Sequence, residues 1–170
     1  MAANIFRDEN GHAEFDFSKA DNVIELHEKY KRTPLSDVDF IIENADKIIF
    51  VEYKNSNIPD ASKPEAFEEK LKDDQHYIKI ARKYYDSIIY LMACENPKPF
   101  EYIYILEADI ADIVNRKMIA AKIKRKLPFE LQQEDTEIKR ELIRDFHVVN
   151  IDEWNHKFPD YQIRLIAEGV

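Results

Sequence analysis

Apolar residues recur along this chain at two periods, and the switch between them lays out its elements. Val38–Glu43 (V-D-F-I-I-E) and Lys47–Lys54 (K-I-I-F-V-E-Y-K) are dense in β-branched and aromatic residues, the composition of strands. Asn44-Ala45-Asp46 between them is turn-like and short, which predicts an antiparallel hairpin. Phe100–Leu106 (F-E-Y-I-Y-I-L) is a third strand and Phe146–Ile151 a fourth. Tyr161–Ala167 reads as an edge strand or a docked tail, and Ala13–Ser18 alternates as a short strand or an ordered lead-in.

Helical spacing takes over elsewhere. Val23, Leu26 and Tyr30 predict a helix over 18–30, with Ser18 as N-cap, Lys29, Lys31 and Arg32 about its last turn, and Thr33-Pro34 as its stop. Phe67, Leu71, Ile78, Ala81 and Tyr85 predict a long helix running on through Ile88 and Leu91 toward Ala93. Ser62 and Glu65 form a capping-box signature at its start, and Asn96-Pro97-Lys98-Pro99 closes it. A helix over 109–125 follows, then another over 136–144 behind the polar break Gln132-Gln133-Glu134-Asp135. Asp152 is placed to cap a short turn carrying Trp154. The order α-β-β-α-β-α-(α)-β predicts an α/β fold, a mixed sheet with helices on its faces, and no linker interrupts it, so one domain is expected over 1–170.

Composition narrows the chemistry by exclusion. At 170 residues the chain can bury a substantial core. Its two glycines, Gly11 and Gly169, cannot write a phosphate-cradling glycine loop, a dinucleotide-binding turn or a G-x-S-x-G elbow. Cys94 is the single cysteine, so there is no intrachain disulfide or cysteine zinc cluster, which fits a reducing cytoplasm. His12, His27, His76, His147 and His156 show no metal-ligand spacing. No apolar run reaches the roughly 18–20 residues of a membrane span and the first ten residues lack a signal-peptide core, so a soluble cytoplasmic protein is expected with no membrane partner. The net charge of −9 argues against nucleic-acid binding by the whole surface and leaves a local basic groove open.

One constellation stands out across the hairpin. Side chains alternate along a strand, so Glu52 and Lys54 share a face with Ile48 and Phe50. Asp39 lies 13 positions before Glu52, and a hairpin about 44–46 brings the two level at the sheet rim. Two converging carboxylates with an ammonium beside them suit a hard divalent cation such as Mg²⁺. An acid two residues before a lysine is not informative alone: it occurs three times, at Glu52/Lys54, Glu68/Lys70 and Glu137/Lys139. Only the first has strand context and an upstream aspartate at hairpin distance. An ordinary charged strand end with a cross-strand ion pair would carry the same residues.

Asp39 followed by F-I-I-E, then K-I-I-F-V-E-Y-K with a helix after it, resembles the PD-(D/E)XK nuclease superfamily, nearest the small resolvase-like nucleases. The likeness covers about 18–90, and Val38 stands where that family's motif has proline. The resemblance implies a three-layer restriction-endonuclease-like fold and a Mg²⁺-dependent phosphodiesterase, with Mn²⁺ as a substitute, acting on DNA in preference to RNA. It further implies Asp39 and Glu52 as metal ligands with the Tyr53 carbonyl, and Lys54 to orient the attacking water. A glutamate of the first helix, Glu25 or Glu28, would complete the metal site. Gln75, on the helix after the second motif, would be a polar catalytic residue, with Lys79 one turn further along the same face as a nucleic-acid contact.

Substrate binding needs cations, and Arg116, Lys117, Lys122, Lys124, Arg125 and Lys126 form a run with no acid among them. The run suits phosphate contacts, and a solvated helix face would look the same. The alternative function is a catalytically silent member of the fold that binds nucleic acid or protein. The acidic surface favours that alternative, or else a channel completed by a homodimer.

Overall fold

A computed structural model of the chain describes residues 4–57 and 64–167. Five strands form the principal sheet: β3 (Asn22–Ile24), β4 (Phe40–Glu43), β5 (Ile48–Asn55), β6 (Phe100–Glu107) and β7 (Asp145–Val149), in the order β3-β4-β5-β6-β7. The first three run antiparallel, and β5, β6 and β7 run parallel. A second, antiparallel sheet has the order β1-β2-β8, from β1 (Ile5–Arg7), β2 (Ala13–Asp16) and β8 (Ile163–Leu165). The short α1 (His27–Tyr30) precedes β4. α2 (Pro64–Lys72) and α3 (Asp74–Ala93) cross from β5 to β6, α4 (Ile113–Lys124) and α5 (Phe129–Glu134) from β6 to β7, and α6 (Ile151–Lys157) follows β7. The fold is therefore α/β with mixed pairing and flanking helices.

Alternation along the central strands builds a core on each face. Ile41, Ile48, Phe50, Tyr102 and Tyr104 meet Tyr77, Ile80, Ala81 and Tyr84 of α3 and Ile119 and Ile123 of α4. The opposite face, with Phe40, Ile49, Val51, Ile103 and Ile105, packs on Phe15 and Phe17 near the small sheet and on Trp154 and Phe158 near α6. Strands covered on both faces are apolar nearly throughout, and seven of the eight β6 residues are buried. Buried tyrosines keep their hydroxyls satisfied: Tyr102 donates to the Ile80 carbonyl at 2.9 Å and Tyr84 to that of Leu142 at 2.6 Å.

Several expected elements differ. The helix over 18–30 is replaced by β3 and the single turn of α1. Val23 packs with the core beyond one face and Ile24 with that of the other, a two-residue alternation, and pairing Val23 with Ile42 satisfies the edge of β4. The long helix is split at Asp73, whose side chain accepts the Gln75 N–H and caps α3 anew. Ser62, the expected cap, lies outside the described residues. No helix forms over 136–144; α5 instead runs through the stretch expected as a break. Gln132 explains the exchange, because its Oε1 accepts the Leu142 and Ile143 N–H groups and its Nε2 donates to the Ile143 carbonyl. Asn150 rather than Asp152 caps the helix bearing Trp154, in a reciprocal pair with Glu153. The hairpin and the strands at 100–106 and 146–151 form close to their expected bounds, and β8 is an edge strand. No helix among the described residues is long and apolar enough to cross a membrane.

Candidate active site

The hairpin register is Phe40 with Val51 and Ile41 with Phe50, which sets Asp39 level with Glu52. Asp39 is held there, since its Oδ2 accepts the Tyr53 backbone N–H at 2.8 Å. The segment leading into it is clipped to α3: the Val38 N–H donates to Ser87 Oγ at 3.0 Å and the Ser36 N–H to Asp86 Oδ2 at 2.8 Å. Ser87 is fully buried, so this attachment is shielded from water.

A cavity of about 530 Å³ opens at this rim. Asp39, Tyr53 and Lys54 line it from the hairpin, Glu25 and His27 from the β3–α1 junction, and Asp8, Glu9 and Asn10 from the β1–β2 turn. With Asp37 it carries five carboxylates against Arg7 and Lys54, and Arg7 already faces Glu14 at 3.5 Å. The recess is thus electrostatically suited to a cation. Asp39 reaches solvent through it, yet the protein crowding the carboxylate strips hydration and holds its pKa above the ordinary value despite the Tyr53 N–H.

Glu52 is buried, and its Oε1 accepts from Lys83 Nζ at 2.6 Å. Its Oε2 is buried with no hydrogen-bond partner among the described residues. Burial first, and then the charge of Asp39, push the Glu52 carboxyl up to about 8 against the pull of Lys83. For Lys83, burial disfavours the ammonium, but attraction to Glu52, aided by Asp39 and Asp37, leaves its pKa above the ordinary value. Tyr104 stands directly opposite Glu52 on β6, and burial, followed by the charges of Glu52 and Asp39, raises its phenol well above the usual range.

Asp39 and Lys54 therefore line the cavity, while Glu52 lies level with Asp39 but is buried and outside the lining, and Lys54 makes no ion pair among the described residues. The ammonium that touches Glu52 is that of Lys83, which sequence reasoning missed although it lies four and eight residues beyond Lys79 and Gln75 on one helix face. Gln75 is exposed at the start of α3 and does not line the cavity, and Lys79 is exposed one turn before Lys83. Of the two candidate glutamates Glu25 lines the cavity, whereas Glu28 is exposed outside it and pairs with Lys31 at 2.7 Å. The Tyr53 ring points to the opposite core, edge-on to Phe15 at 5.2 Å, and burial pushes its phenol up to about 12.

The basic run is largely engaged. Arg116 is buried, pairs with Glu153 at 2.6 Å and donates to the Ala111 carbonyl, which corrects its expected place on an open phosphate-binding face. Lys126 pairs with Asp74 at 2.9 Å, Lys122 lies over the Tyr77 ring and Lys124 over that of Phe129. Lys117 and Arg125 are exposed and unpaired among the described residues. Among those residues no three Asp, Glu, His or Cys side chains form a ready metal cluster. Comparison with protein-family models, curated proteins and solved structures finds no match.

Proposed function

We propose that the chain is a Mg²⁺-dependent nuclease of the PD-(D/E)XK type that hydrolyses phosphodiester bonds in DNA. The observation that carries the reading is the register that sets Asp39 level with Glu52 on the β4–β5 hairpin, with Asp39 and Lys54 lining an acidic cavity. A restriction-endonuclease-like fold belongs to the same proposal. The antiparallel hairpin followed by a helical crossover to a parallel strand supports it, and the four-residue α1 is its main departure from expectation.

The donor chemistry fits a divalent cation. Glu52 Oε2 is a buried oxygen without a partner among the described residues, and the repulsion that Asp39 exerts on Glu52 is what a dication between carboxylates relieves. Asp39 and Glu52 would hold Mg²⁺ or Mn²⁺ with the Tyr53 carbonyl, and Glu25 is the better placed of the two further glutamates. Bound there, the metal would supply an acidified water and neutralise charge on the scissile phosphate. The Tyr53 N–H and the Ser87 clip keep Asp39 in position. Lys54, exposed at the cavity, orients water and phosphate, and Lys83 keeps Glu52 turned toward α3 until the site is assembled.

The test is cleavage of linear duplex, single strand, supercoiled plasmid and a four-way junction with Mg²⁺, Mn²⁺ or EDTA. Metal-dependent cutting that drops at least a hundredfold in Glu52→Ala and Lys54→Ala is expected, the scale of losing a metal ligand or a charge-stabilising group. No cutting by wild type, or equal cutting by the variants, would replace this reading with that of a silent binding module.

A further inference from the structure

The contact between Lys83 and Glu52 fixes how α3 lies on β5, and with it the level of every residue on that helix face. Two residues along a strand advance roughly 6.6 Å, and four along a helix about 6 Å. Stepping from Glu52 to Lys54 on β5 therefore matches stepping from Lys83 back to Lys79 on α3. His76, three residues before Lys79, continues the same face. The His76 ring packs edge-on to Phe67 of α2 at 6.1 Å, and Lys70 lies one turn beyond Phe67.

Lys54, Lys70 and Lys79 are exposed and form no ion pair among the described residues. His76 Nε2 is buried and lacks a hydrogen-bond partner among the described residues. Burial, and after it the charges of Lys70, Lys54 and Lys79, hold the His76 imidazole below its ordinary pKa, so all three ammonium groups act on this one ring. Asp73 opposes them at the ring with its side chain occupied by the Gln75 N–H, and of the other acids on α2 and the start of α3, Glu65, Glu68, Glu69 and Asp74, Glu69 pairs with Lys72 and Asp74 with Lys126. The acidic cavity lies on the other side of Lys54, so the rim divides into a side for cations and a side for anions.

We propose that Lys54, Lys70 and Lys79, grouped about the His76 ring, form a phosphate-binding stripe that seats the DNA backbone beside the Asp39–Glu52 pair. The stripe takes its ligand from the nuclease reading and moves the main phosphate contacts from α4 to the α2–α3 corner. The lysines neutralise the phosphate charges, and the His76 ring, packed edge-on to Phe67, joins α3 to α2 and sets Lys70 beside Lys79.

The experiment is the anisotropy of a fluorescently labelled 20-mer DNA duplex titrated with protein in EDTA at several salt concentrations, so that binding is read without cleavage. Lys70→Gln/Lys79→Gln is expected to bind about tenfold more weakly near 0.1 M salt, with a salt slope smaller by about 2. Lys139→Gln/Lys157→Gln removes the same charge elsewhere and is expected to bind as wild type. Equal binding by the two double variants, or no duplex binding by wild type, overturns the stripe. Cutting that depends on Glu52 together with equal binding by both double variants sinks the stripe alone. Binding that depends on Lys70 and Lys79 without metal-dependent cutting upholds the stripe and sinks the nuclease.

Discussion

Glu52 has the most demanding surroundings of any residue at the rim: buried, level with a second carboxylate and held by one ammonium. Its pKa rises from an ordinary 4.5 to about 8, so the folded chain keeps a proton that the unfolded chain has released. The stability this contributes is complete below about 4.5 and is lost as pH rises through about 8. Glu52→Gln removes the titration, and in EDTA it should gain on the order of 3–5 kcal/mol over wild type between pH 5 and 9. Scanning calorimetry of both proteins across that range checks this, and parallel pH profiles would contradict it. Asp39, Glu52 and Lys54 are legible in the sequence because strand alternation and turn length together set which residues face each other. Lys83 is not, because which turn of a long helix meets a strand is decided by how the helix docks.

At the scale of elements, α3 organises the site: it supplies Lys83 to Glu52 and anchors the segment before Asp39 through Asp86 and Ser87. Ser87→Ala strands the Val38 N–H in the core, a loss of about 1–3 kcal/mol. It should also lower cleavage severalfold through a loosened Asp39, while Ser87→Thr, which keeps the acceptor, retains more of both; chemical denaturation and cleavage rates together check it. Strands with strong local composition, β4, β5 and β6, are legible at this scale. The three-residue β1 and β3 are not, because pairing creates them, β1 on β2 and β3 on the edge of β4, and for 161–167 it is pairing with β2 across most of the chain that decides between edge strand and docked tail. The Asp73 break escapes the pattern as well, since Leu71 and Ile78 keep helical spacing across it. Gln132 settles 136–144 through three long-range hydrogen bonds that no local periodicity records.

Over the whole molecule the net charge is −9, and about the rim carboxylates line the cavity while Lys70 and Lys79, unpaired among the described residues, stand on the α2–α3 corner. The basic run that dominates the linear sequence is instead partly structural: Arg116 joins α4, on one face of the sheet, to Glu153 of α6 on the other. Linear charge counts could not separate these roles, because burial and pairing are properties of the assembled layers. The account turns on one claim, that Asp39 and Glu52 together hold a divalent cation. Its most direct test is titration of wild type, Asp39→Asn and Glu52→Gln with Mn²⁺, followed by electron paramagnetic resonance of the free ion at pH 7.5. The account predicts one saturable site in wild type and at least tenfold weaker binding in each variant. Absence of a site in wild type, or equal binding by all three proteins, would contradict it.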